Sequence, residues 1–441
     1  MSQTSENQLA RALDALARTE DKVHAYRHVL EQEALSEASS ADDSLASSPI
    51  GGWPFAVKEV LDVAGVPTSG GSQAYKDRVP KRDATVLERL RAAGGVLVGT
   101  QIAHELTCGF DQPPTRNPWN LSCYPGGSSA GAGVSVAVGS TRFALGTDAA
   151  GSVRIPAAMT GTTGLKPTWG LISSHGVMRQ ASAPSIDHVG LVARSAAEIA
   201  QILPSLAAPD PWDAATLQPR PIQPEAQPHN KRLAILGEAT LGAIAEEYGL
   251  DLEIQSAFSE ACDVFRQAGF ETVEIELPTL PMVVEAIVTF FSVELACANA
   301  ETLLERRNSF FPKVAEMIEA GLATPKDQLL NALRIRSEFR AELSAAFAST
   351  NTDFLMTPTT PRVAMPLENF DPTEELATLI PFTCGFNLSG NPAISLPCGK
   401  TRDGLPIGLQ IVGRHFREIA LLNLAAQFQH QTRWHKDRPP V

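Results

Sequence analysis

Apolar positions along the chain follow two alternating rhythms. Between residues 6 and 33, Leu and Ala alternate with charged and polar residues at helical spacing, which predicts one or two amphipathic helices. The Ser-rich run EASSADDSLASSP, residues 37–49, reads as a surface linker. From residue 50 the pattern changes to GGWPFAVKEVLDVAGVPTSGGS, a strand-like apolar run punctuated by Gly and Pro and interrupted by one lysine, Lys58. Asp83 offers an N-cap for ATVLERLRAAGG, whose Val86, Leu87 and Leu90 fit one helix face ending at Gly94-Gly95, and VLVGT at 96–100 follows as a buried strand. Residues 128–138, rich in Ala, Gly and Val, predict a buried helix that begins at a Gly turn, and Phe143-Ala144-Leu145 a short strand. Helical patterns return at 196–206, 254–268, 284–306 and 328–348, with strand patterns at 233–236, 272–275, 354–356, 393–396 and 408–412. A Pro-rich stretch at 210–230 reads as an exposed connection between two lobes. Such alternation predicts an α/β fold, a sandwich of helices around a mixed sheet.

Composition narrows the class. A chain of 441 residues exceeds the size of one simple core, so one large α/β unit, with or without insertions, is expected. The formal net charge of -13 speaks for solubility and against a general polyanion-binding surface, so no nucleic-acid partner is expected. The first thirty residues carry charge throughout and are no signal peptide, and no apolar run approaches the ~20 residues of a membrane span, so no membrane partner is expected either. Six scattered cysteines without a C-x-x-C pair read as buried thiols in a reducing cytoplasm and speak against a structural zinc site.

The chemistry concentrates between residues 125 and 156, PGGSSAGAGVSVAVGSTRFALGTDAAGSVRIP, where two Gly-rich turns each bear serine. A serine becomes a nucleophile only if a base removes its proton and donors meet the oxyanion that forms. The turn Ala149-Ala150-Gly151-Ser152 supplies such donors if its successive amides point into one concavity. None of the nine histidines stands in a recognisable catalytic context, His104 and His188 included. Lys58 is the better base: a lone ammonium in the apolar run FAVKEV loses its hydration, which lowers its pKa from about 10.4. A lysine whose stem is buried and whose head reaches solvent is the plainer alternative. A competing pattern is Gly127-Ser128-Ser129-Ala130-Gly131, which matches the G-x-S-x-G nucleophile elbow of α/β-hydrolase esterases with Ser129 at its centre, although the polar, Pro-bearing run before it lacks the buried strand that motif needs.

Taken together, PFAVKE at 54–59, TRNPWN at 115–120, PGGSSAG at 125–131, ALGTDAAGSVRIPA at 144–157, GLKPTWG at 164–170, SIDHVG at 185–190, TPTTP at 357–361 and GNPAISLPCG with GLPIGLQIVG at 390–413 resemble the amidase signature enzymes. The resemblance covers nearly the whole chain from residue 50. It implies an α/β/α sandwich around a large twisted mixed sheet, with residues 1–49 as an N-terminal helical segment and linker, 50–441 as one catalytic domain, and a Pro-rich connection near 208–230. It implies a Ser-cisSer-Lys triad of Ser152 as nucleophile, Ser128 as relay and Lys58 as base, and a cis peptide between Gly127 and Ser128. Ala149, Ala150, Gly151 and Ser152 would form the oxyanion hole, with Ser129 and Thr147 in support; Asp148 and Arg154 would either bind substrate or, the favoured reading, form an ion pair bracing the turn. Asp187 reads as scaffolding. Two departures from the common pattern are Ala150 in place of the first of two glycines and Glu59 in place of Asp after the lysine; the Ala methyl narrows the site.

The implied activity is hydrolysis of a carboxylic amide, with carbamates, ureas and esters open to the same acyl chemistry, and the partner a small-molecule amide, with a homodimer left open. The alternative within the family is the glutamine-hydrolysing component of a tRNA-dependent amidotransferase. That component holds glutamine with an Asp and an Arg in its C-terminal half, where this chain offers Ile380 and neutral or acidic residues. Cys108, Phe110, Asp111, Ile318, Ile380 and Phe382, most of them apolar, are the expected acyl-pocket residues. No metal or organic cofactor is implied.

Overall fold

A computed structural model describes residues 4–41, 48–217 and 230–441. Eleven strands form one mixed sheet: β1 (Tyr26–Val29), β2 (Pro54–Lys58), β3 (Val96–Gln101), β4 (Phe143–Thr147), β5 (Thr163–Lys166), β6 (Val189–Ala193), β7 (Arg232–Leu236), β8 (Glu271–Ile275), β9 (Phe354–Pro358), β10 (Ala393–Lys400) and β11 (Pro406–Gly413). Their order across the sheet is β1-β3-β2-β4-β6-β5-β10-β11-β9-β7-β8. Pairs around β2 and β7 are parallel, and those joining β4, β6, β5, β10, β11 and β9 are antiparallel. The fold is α/β, as the alternation of patterns predicts.

Helices cover both faces because alternate residues of a strand point to opposite sides. In β9, Phe354 and Met356 join one apolar cluster while Leu355 joins another; β11 divides Leu409 and Ile411 from Val412 in the same way. The first cluster packs under the helices Thr85–Ala92, Ala196–Leu206, Leu252–Gln267 and Glu418–Gln431, the second under Val283–Arg306 and Lys326–Thr350. Phe55 of β2 stacks on Phe143 of β4 with ring centroids 5.3 Å apart, fixing the two strands that carry Lys58 and Thr147.

The N-terminal segment differs from the expected helices. The helix Ser5–Val23 stops at His24, which adopts a left-handed conformation (φ 49°), and Glu20 accepts the N–H groups of Ala25 and Tyr26, turning the chain into β1. That strand then closes the sheet edge against β3. The expected linker at 37–49 is helical up to Ala41, within Glu31–Ala41, because Glu37 accepts from the Leu97 amide at 2.8 Å and pairs with Arg91. Its residues 42–47, and residues 218–229 of the expected Pro-rich connection, lie outside the described residues. Asp83 is not a helix cap: it accepts from the Ala64 amide and pairs with Arg91, and the cap position falls on Ala84. The stretch Leu280–Ser309 is long enough to cross a membrane and holds an 18-residue window of mean hydropathy 1.8, although Glu285 and Glu294 interrupt its apolar run. More than half of that window is buried in the fold, where Ile287 and Phe290 join the core.

Strands β5 and β6 and the helix Arg154–Thr160 carry no period for a sequence pattern to detect, because all their residues are buried. Phe143→Ala should cost about 3–5 kcal/mol, the range for emptying a fully buried phenylalanine site, read as a lower midpoint in denaturant unfolding.

Candidate active site

Lys58 ends β2, the strand hydrogen-bonded between β3 and β4, and none of its surface is exposed. Its Nζ lies 2.8 Å from Ser128 Oγ and 3.0 Å from Thr147 Oγ1 at the end of β4. Burial pulls the lysine well below its ordinary pKa, opposed by the charges of Asp187, Asp148 and Glu59. Asp187 is pushed above the usual carboxylate range, again by burial, with Lys58 opposing. Glu59 holds Arg27 in a two-point ion pair and accepts the Ala103 amide.

The peptide between Gly127 and Ser128 is cis. Gly127 is required there: a Cβ would lie 2.4 Å from His104 Nε2 and 2.5 Å from the Tyr124 hydroxyl. The helix Ala130–Val138 starts just beyond and comes so close to its neighbours that a Cβ at Gly131 would meet the Ala25 carbonyl oxygen at 2.3 Å. Ser129 Oγ is fully buried and donates to the Thr147 carbonyl at 3.1 Å. This excludes the esterase alternative, because the Ser129 hydroxyl has neither access nor a base.

The second turn hangs on one buried ion pair. Arg154 and Asp148 are both fully buried, and all five guanidinium donors are used: Nε and one terminal nitrogen on Asp148, the rest on Asn387 Oδ1, Gln410 Oε1 and the Thr383 carbonyl, at 2.6–3.0 Å. Nothing of Arg154 is left for a ligand. Asp148 also accepts the Gly151 and Val153 amides and an Asn387 N–H, and the Arg154 charge together with these bonds holds its carboxyl far below the usual range despite burial. One expected oxyanion donor is thereby corrected: the Gly151 N–H donates to Asp148 Oδ1 at 2.8 Å. The amides of Ala149, Ala150 and Ser152 have no acceptor among the described residues.

Ser128 and Ser152 face one cavity of about 70 Å³ with Ala149 and Ala150 in its wall. Its other walls are Thr107, Cys108 and Gly109, Ile155, Ile287, Val288 and Phe291 of the helix Val283–Arg306, Met317, Leu376 and Ile380. Among the described residues, no charged side chain lines it. Of the expected pocket residues, Cys108 and Ile380 are in place. Phe110, Asp111, Ile318 and Phe382 are not: Asp111 turns away to accept from His104 Nδ1 and the Glu105 amide, Ile318 and Phe382 are consumed in core packing, and Phe110 packs beside the Ile318 cluster. Sequence reasoning misses the contribution of the helix Val283–Arg306, whose apolar residues look alike whether they face core or cavity. On the far side of Thr147 a second cavity of about 110 Å³ meets Asp187, His188 and Ser182.

The chain is similar to known proteins over nearly its whole length. The family model described as Amidase matches residues 8–422. The A chain of the glutamyl-tRNA(Gln) amidotransferase of Roseiflexus sp. is 35% identical, covering 97% of this chain and 93% of its own. Among solved structures, 6-aminohexanoate cyclic dimer hydrolase complexed with substrate superposes with a TM-score of 0.86 at 27% identity, covering 100% of this chain and 96% of its own. A chain from a vestigial protein complex, solved in tracing the evolutionary origins of an s-triazine catabolic enzyme, superposes with a TM-score of 0.88 at 27% identity over 99% of this chain and 97% of its own.

Arg154→Met should destabilise the protein by about 3–5 kcal/mol, since it strands a buried carboxylate. Because the folded-state pKa of Asp148 is depressed, its stabilisation is complete above the unfolded value of about 3.9 and is lost as pH falls further. Acid unfolding curves should therefore be shallower below pH ~4 in Asp148→Asn than in wild type.

Proposed function

The chain belongs to the amidase family, and from that premise we propose that it is a serine amidohydrolase that cleaves small, uncharged carboxylic amides through an acyl-enzyme. The observation that carries this reading is Lys58 Nζ 2.8 Å from Ser128 Oγ, with Ser128 and Ser152 on one apolar cavity. Neutral Lys58 accepts the Ser128 proton as Ser128 takes that of Ser152, and Ser152 Oγ attacks the amide carbon. The amides of Ala149, Ala150 and Ser152 face the oxyanion, each donor being worth roughly 2.7–4 kcal/mol of barrier. The proton returns through Ser128 to the leaving nitrogen as the C–N bond breaks, and water repeats the cycle to release the acid. Thr147 holds the lysine, and the Asp148–Arg154 pair holds the turn.

The cavity bounds the acyl group. At about 70 Å³ it is less than half the roughly 150 Å³ that takes a benzene ring. A short alkyl acyl group fits it, and carbamates, ureas and esters of the same size share the chemistry. The similarity to amidotransferase chains favours a second reading, a glutamine-hydrolysing component that acts with partner proteins. The uncharged lining supports the free-standing hydrolase, since a zwitterionic amino acid amide needs charged groups to replace its hydration. All six cysteines are free, five of them buried, which supports a cytoplasmic setting.

The test is a panel of amides on the purified chain. Short-chain amides should be cleaved and glutamine not; cleavage of glutamine alone, and only with added partner proteins, would establish the second reading. Ser152→Ala should lower kcat on the order of 10⁵-fold, and Lys58→Met roughly 10²–10⁴-fold. Since protonated Lys58 is inactive, kcat/KM should rise with pH along a limb whose midpoint lies below the ordinary lysine value of about 10.4.

A further inference from the structure

Behind the turn that carries Ser128 lies a chain of polar groups to which the reaction above gives no part. His104 is fully buried just beyond β3. Its Nδ1 is 3.2 Å from Asp111 Oδ1, and its Nε2 is 3.2 Å from the Tyr124 hydroxyl. Asp111 is itself fixed by the Glu105 amide at 3.0 Å, and the Tyr124 ring stacks on Phe370 with centroids 4.2 Å apart. Both ends of the Asp111–His104–Tyr124 chain are therefore anchored.

The histidine meets the turn in two ways. Its backbone N–H donates to the Ser128 carbonyl at 3.3 Å, and its ring and the Tyr124 hydroxyl occupy the space that a Cβ at Gly127 would take. The Gly127–Ser128 peptide is thus held against a wall of fixed polar atoms on one side, while Ser128 Oγ meets Lys58 on the other. A carboxylate accepts only, so Asp111 fixes Nδ1 as the donor and turns Nε2 toward the Tyr124 hydroxyl. Both ring nitrogens of His104 then have partners, which holds the ring in one orientation.

We propose that His104, oriented by Asp111 and Tyr124, is a positioning residue that sets the Gly127–Ser128 turn so that Ser128 Oγ stays within reach of Lys58. It acts through Ser128 and touches no substrate. The inference rests on the serine reading of the site, and the test separates the two. The rate at which methanesulfonyl fluoride, whose alkyl group is small enough for the cavity, labels Ser152, located by peptide mass mapping, measures nucleophile activation without knowledge of the natural amide.

His104→Leu should slow labelling at least tenfold, and on any amide that the wild type cleaves it should lower kcat with KM within threefold. His104→Asn, which restores a donor near the Nδ1 position, should recover part of the rate. Tyr124→Phe and Asp111→Asn, which preserve shape, should each slow labelling by a smaller factor and leave the melting temperature within a few degrees of wild type. Folded Tyr124→Phe and Asp111→Asn proteins that label at the wild-type rate overturn the proposal, as does an equal loss in His104→Leu and His104→Asn. Failure of the wild type to label at Ser152 at all overturns the serine reading instead.

Discussion

An amine without hydration is the constraint on which this structure turns. Lys58 has no exposed surface and, among the described residues, no carboxylate within ion-pair distance; its hydrogen-bond partners are two hydroxyls. Water would stabilise the ammonium, and the fold leaves none of the Lys58 surface exposed to it. It does so with a central strand whose five residues are all buried, with stacked phenylalanines, and with turns so poor in side-chain bulk that backbone fills the remaining volume. Of the negative charges that favour the protonated lysine, Asp148 is engaged by Arg154 and Glu59 by Arg27, while burial pushes Asp187 toward its own neutral form.

The same economy governs the second turn. A carboxylate that accepts two amides of the loop and pairs with a guanidinium fixes a loop that small residues would leave loose. It consumes the Gly151 N–H, while Ala149, Ala150 and Ser152, whose amides have no acceptor among the described residues, line the cavity.

Sequence carries the meeting of Lys58, Ser128 and Ser152 and not the rest of the cavity, for a physical reason. Lys58, Ser128 and Ser152 sit on turns and a strand end where chemistry dictates residue type, so their neighbours form readable patterns. The acyl cavity is lined by Ile287, Val288, Phe291, Met317 and Leu376, drawn from segments whose apolar periodicity states only that one face is buried. Phe110, Ile318 and Phe382 have the right character and the wrong direction. His104 is illegible in the sequence because a histidine's meaning depends on what reaches its two nitrogens, and both partners come from other parts of the chain. Strand β1 is hidden by a left-handed residue and a side-chain cap at Glu20, neither of which alters periodicity.

Arg154 takes Asn387, Thr383 and Gln410 as partners, all from the last part of the chain. A nascent polypeptide that had already emitted Lys58, Ser128 and Ser152 from the ribosome would still carry an unsatisfied arginine and an unheld loop. The turn that carries Ser152 therefore gains its full set of bonds only once strand β11, which bears Gln410, has joined the sheet.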